Sequence, residues 1–135
     1  MRNTSIEVYD EDDDYDMVKG WWQAHGWPGV SPHILPQFGA IASFRGRPAA
    51  AGWLYMDNSR GVSMLEWVVT NPDNTPRASL AAIGALVTYI KDYALSQDYG
   101  VMLTSCKQDS LLKLFERNGF EHTDSGVHHA VAILR

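Results

Sequence analysis

The sequence predicts an α/β (α+β) protein, a sheet covered by helices. Two observations carry this. Short segments rich in β-formers recur between turn signals, and longer segments place apolar residues at helical spacing. A strand–helix–strand unit from Met64 to Ser105 also needs a crossover, and a crossover makes a parallel pair. Ser5–Tyr9 alternates apolar and polar residues, as a half-buried strand does. Acids at Asp10–Asp14 then precede Tyr15, Met17, Val18, Trp21 and Trp22 at roughly helical spacing, and acids suit a helix's first turn. Gly26–Gln37 holds Pro28, Gly29, Pro32 and Pro36 and reads as a stiff loop.

Phe38–Phe44 and Ala49–Met56 read as strands joined by a turn at Arg45–Pro48. A second turn at Asp57–Gly61 leads to a strand at Met64–Thr70. Thr75 is a helix cap with Pro76 at the first helical position. From there to about Gln97, Leu80, Ile83, Leu86, Val87, Ile90 and Ala94 form one apolar face. Val101–Ser105 is a strand, Asp109–Asn118 a helix stopped by Gly119, and strands are expected at Phe120–His122 and Val127–Leu134.

The 135 residues suffice for one domain, spanning 1–135. At 45% hydrophobic and 20% charged, the composition excludes wholesale disorder. The lone Cys106 cannot form an internal disulfide. With no apolar signal core and no unbroken apolar run of the ~20 residues a membrane span needs, the expectation is a cytoplasmic protein without a membrane partner. The net charge of −5 is local: residues 1–16 hold seven acids and one base, and the rest is nearly balanced. That leaves no basic face for a phosphate backbone, so nucleic acid is not an expected main partner.

Glu66 stands out because it lies inside a strand that should be buried, where a carboxylate is costly unless paired. Strict alternation puts Glu66 with Met64 and Val68, opposite Leu65 and Trp67. It is either a general base with a raised pKa or a structural acid. Beyond the carboxyl end of that strand the next helix begins, and its free N–H groups and Arg77 suit a phosphate. Trp21, Trp22, Trp27, Trp53 and Tyr55, with His25 and His33, line an acceptor cleft, or else Trp21 and Trp22 pack the first helix on the sheet and the two histidines are surface loop residues. Alternation sends His128 and His129 to opposite faces, so no metal site is assigned.

The segments LEWVVTNP, PRASLAAIGALVTYIKDYA and MLTSCKQDSLLKLFERNGFEHTD resemble the core of the GNAT superfamily of N-acetyltransferases. WWQAHGWPGVSPHILPQFGAIAS and LYMDNSR are similar to a small phage and bacterial subgroup. The resemblance runs from about Tyr15 onward, and its most specific element is the ending LLKLFERNGF. It implies a mixed, mostly antiparallel sheet with a central splayed parallel pair, flanked by helices.

It also implies acetyl-CoA as co-substrate and a primary amine as acceptor attacking the thioester directly. Glu66 is then the base, Val68 and Val69 pair with the pantetheine arm, Arg77, Ala78 and Ser79 hold the pyrophosphate, and Gln108 contacts the cofactor. Trp22, His25, Trp27 and Tyr55 are the acceptor candidates. The acceptor itself is a small molecule, a peptide or protein amine, or a modified nucleobase amine, and the chain acts as monomer or homodimer. Three positions depart from the family pattern: Leu80 replaces a loop glycine, Phe115 a tyrosine acid, and Gln108 an asparagine. Leu80 and Phe115 support an alternative, a catalytically inactive GNAT-like binding module.

Overall fold

The computed structural model describes residues 3–134. The elements are β1 (Thr4–Val8), α1 (Glu11–Ala24), β2 (Gly39–Phe44), β3 (Arg47–Met56), β4 (Val62–Thr70), α2 (Pro76–Ser96), β5 (Val101–Thr104) and α3 (Asp109–Arg117). The five strands form one sheet in sequence order, antiparallel from β1 to β4 and parallel between β4 and β5.

Local chemistry sets these elements. At the start of α1, Asp10 accepts the Asp13 N–H at 3.0 Å and its own N–H donates to the Asp14 carboxylate at 2.9 Å. This reciprocal cap gives the acidic run a structural use. Between β2 and β3, Arg45 (φ 51°) and Gly46 (φ 80°) make a two-residue turn, and Phe44 pairs with Arg47. Both central residues have positive φ, the geometry that matches the twist of a hairpin. Pro48 sits at a register shift opposite Ser43, where the strand tolerates a missing donor.

The sheet buries apolar residues on both faces. α2 and α3 cover Leu54, Leu65 and Val68 with Ile83, Leu86, Ile90 and Phe115. α1 covers Ile41, Ala51, Trp53 and Val69 with Val18, Trp21 and Trp22. By length and composition α2 is apolar enough to cross a membrane, although Arg77, Lys91 and Asp92 interrupt its apolar run. Here its apolar stripe lies on the sheet, as a core helix's does.

The strands expected at Phe120–His122 and Val127–Leu134 do not form. Residues 121–134 are exposed and carry no regular structure, and Val131 and Leu134 are 86% and 93% exposed. Alternation alone does not make a strand without a partner ladder. Local bonds compete in its place: His122 Nε2 lies 3.0 Å from both the Asp124 carbonyl and Ser125 Oγ. β5 is therefore the sheet's last strand among the described residues, and the parallel pair lies at that edge rather than at the centre.

Candidate active site

The parallel ladder ends early. β4 and β5 pair from Val62↔Val101 to Leu65↔Thr104, and then the two chains part. Thr104 Oγ1 donates to the Leu65 carbonyl at 2.7 Å at the last rung. One residue further on, Ser105 Oγ lies 3.0 and 3.3 Å from the two Glu66 carboxylate oxygens. Glu66 therefore sits at the base of the fork, bonded across it.

On its other edge β4 is bulged. Trp53 pairs with Glu66 and Ala51 with Val69, so Trp67 and Val68 together oppose Gly52. Trp67 has φ 62°, a left-handed conformation that costs an L-residue roughly 1–2 kcal/mol. Trp22 Nε1 donates to the displaced Trp67 carbonyl at 3.4 Å. The bulge corrects the expected alternation. Val68 packs with Leu65 on the α2 face, and Trp67 shares the α1 face with Glu66 and Tyr55.

Glu66 is half-buried, and its carboxyl is pushed above the usual range chiefly by burial. The Ser105 hydroxyl and the His129 charge pull it part of the way back. Cys106, next along the fork, is also pushed up, by burial first and then by Glu66 and Asp109. Its thiol therefore disfavours the thiolate a nucleophile needs.

The tip of α2 offers fewer donors than a generic helix start. Pro76 has no N–H, and the Ala78 N–H donates to Thr75 Oγ1 at 3.2 Å. Ser79 N–H bonds the Thr75 carbonyl at 3.1 Å, and Ser79 Oγ accepts from Asn74 Nδ2 at 3.1 Å. Of Arg77, Ala78 and Ser79, Arg77 keeps its N–H clear of these bonds. Its exposed side chain lines a broad groove between α2 and β1. Leu80 is exposed in that groove too. Gln108 caps α3 without a side-chain bond, and Phe115 is fully buried against Phe120. A hydroxyl at position 115 would thus start from inside the core.

The acceptor candidates divide. Trp22 is 2% exposed and packs α1 on the sheet, out of a ligand's reach. His25 and Trp27 stack at 4.9 Å, with His25 Nε2 2.9 Å from the Thr70 carbonyl. Tyr55 stands beside the fork and accepts from Trp67 Nε1 at 2.8 Å. Trp67 itself escaped the sequence pattern, because only the bulge brings it beside Glu66.

A five-stranded sheet whose parallel pair splays beside a strand bulge, with helices on both faces, is the GNAT fold. Solved acetyltransferases share it across nearly the whole chain. An aminoglycoside acetyltransferase from an uncultured soil metagenomic sample superposes with a TM-score of 0.70 at 11% identity, covering 97% of each chain. The yncA protein of Salmonella typhimurium, solved with its cofactor acetyl-CoA, gives 0.65 at 13% identity over 91% of this chain and 82% of its own. The ribosomal-protein-S18-alanine N-acetyltransferase of Escherichia coli gives 0.68 at 14% identity over 90% and 79%. No protein-family model matches the sequence, and no curated protein matches it in sequence.

Proposed function

We propose that the chain transfers an acetyl group from acetyl-CoA to a primary amine. The observation that carries this is the fork beyond Leu65↔Thr104, with the Glu66 carboxylate at its base and the Trp67 bulge beside it. A half-buried carboxylate with a raised pKa is suited to take a proton near neutral pH. The solved fold neighbours, one of them holding acetyl-CoA, support the donor.

In this reading the thioester lies in the fork, with its pantetheine arm along β4 at Val68 and Val69. Backbone N–H groups near there stabilise the developing oxyanion. Glu66 takes the amine proton directly or through a water. The nitrogen forms its bond to the acetyl carbon as the carbon–sulfur bond breaks, and the thiolate departs and is reprotonated from solvent. A thiolate whose acid has a pKa near ~8.5 leaves without a dedicated proton donor, so Phe115 is compatible with turnover. Arg77 offers the pyrophosphate its backbone N–H at the α2 tip, its side chain lying in the groove toward β1; Ala78 and Ser79 are largely engaged within α2, and Gln108 flanks the fork from the start of α3.

The test is thiol release from acetyl-CoA in the presence of amines. Glu66→Gln keeps the shape of the side chain and removes the base. Turnover is expected to fall by about 10²–10⁴-fold, with loss of the rate's rise through the mildly acidic range. Unchanged turnover and an unchanged pH profile would remove Glu66 from the chemistry.

A further inference from the structure

Trp67 carries a cost that glycine at the same bulge would avoid, since glycine adopts positive φ freely. What the side chain gains is a fixed place. Its Nε1–H donates to the Tyr55 hydroxyl at 2.8 Å, and that hydroxyl donates to the Ile34 carbonyl at 2.9 Å. The relay ties β4, β3 and the proline-rich loop after α1 into one unit beside Glu66. It uses up the polar atoms of both rings and leaves apolar surface outward: Trp67 is 40% exposed and Ile34 is 54% exposed.

The acidic run caps α1 at the β1 edge, three strands from β4, or roughly 14 Å at ~4.8 Å per strand. Asp57 accepts the Ser59 N–H within its own turn. Asp109, at the start of α3, acts on the same Cys106 thiol that Glu66 acts on, so a second acid stands near the fork. The rings flank Glu66, the acid beside Trp67 on β4.

Resting on the transferase reading above, we infer that Trp67, Tyr55 and Ile34 form the acceptor shelf, and that it selects a monoamine carried on a flat apolar body. A ring stacks on the exposed Trp67 face and places its amine at Glu66. An aminosugar or an open-chain polyamine has no flat ring to lay on Trp67. Trp67 and Tyr55 are then specificity-determining residues.

The experiment compares tryptamine with sisomicin and spermidine. Acetyl-CoA binding is measured first by calorimetry, followed by acceptor-dependent thiol release. The inference predicts that tryptamine is preferred by at least about tenfold in kcat/KM. It predicts that Trp67→Ala raises the tryptamine KM about tenfold or more while kcat changes much less. Tyr55→Phe keeps both rings, cuts the relay and raises KM severalfold; it serves as the readout if Trp67→Ala does not fold. If acetyl-CoA binds but a polyamine is preferred, or KM is unmoved in the folded variants, the shelf is overturned and the transferase reading stands. If acetyl-CoA does not bind, both fall together.

Discussion

Glu66 joins most of the chemistry at the scale of single residues. Its carboxyl holds its proton to higher pH in the folded chain than in the unfolded chain. Its contribution to stability is thus full below the ordinary carboxylate range and is lost as pH rises through its folded pKa. Glu66→Gln should flatten that fall, which denaturant titrations across the acidic range would show. Tyr9 provides a second, independent test. Its hydroxyl is buried without a hydrogen-bond partner among the described residues, and its pKa is pushed up to about 12 by burial and then by Glu11 and Asp14. Tyr9→Phe removes an unpaired polar group and should raise stability by about 1 kcal/mol near neutral pH. It should also remove a loss of stability that begins above pH ~10. Gly39 tests the packing. A Cβ there would collide with the Trp53 ring, so Gly39→Ala should cost about 1–3 kcal/mol in chemical denaturation. The sequence marked Glu66 because a carboxylate inside LEWVV is out of place. It could not mark Trp67, because alternation assumes an unbroken strand and the bulge arises from the pairing with β3.

Among the elements, α2 was the most legible: Thr75, Pro76 and a long apolar stripe define its start and buried face. Thr75→Ala should cost about 1 kcal/mol of stability, read by thermal or denaturant melting. The same cap that makes this helix easy to find engages the Ala78 N–H, a competition the sequence pattern does not display. The hairpin at Arg45–Gly46 was legible from turn chemistry, although β3 begins earlier than Ala49 because Pro48 is tolerated at the register shift. The last two expected strands failed for a different reason. Val127–Leu134 has a strand's alternation, yet a strand also needs a ladder, and its side chains face solvent. Removing residues 127–134 should therefore change stability by no more than about 0.5 kcal/mol. Because His129 lowers the Glu66 pKa, the same truncation should move the Glu66 titration to higher pH, and NMR titration of the carboxyl would report the direction.

For the whole molecule, the helix-covered mixed sheet and its parallel crossover followed from periodicity and the spacing of turns. The fork did not, because it depends on where the β4–β5 ladder stops and on Ser105 reaching Glu66. The central claim is that this fork seats the acetyl-CoA thioester against Glu66. Calorimetric titration of acetyl-CoA into the intact chain tests it most directly. The account predicts one site per chain with a dissociation constant between about 1 μM and 1 mM. No binding heat at millimolar acetyl-CoA, at two temperatures, would contradict it.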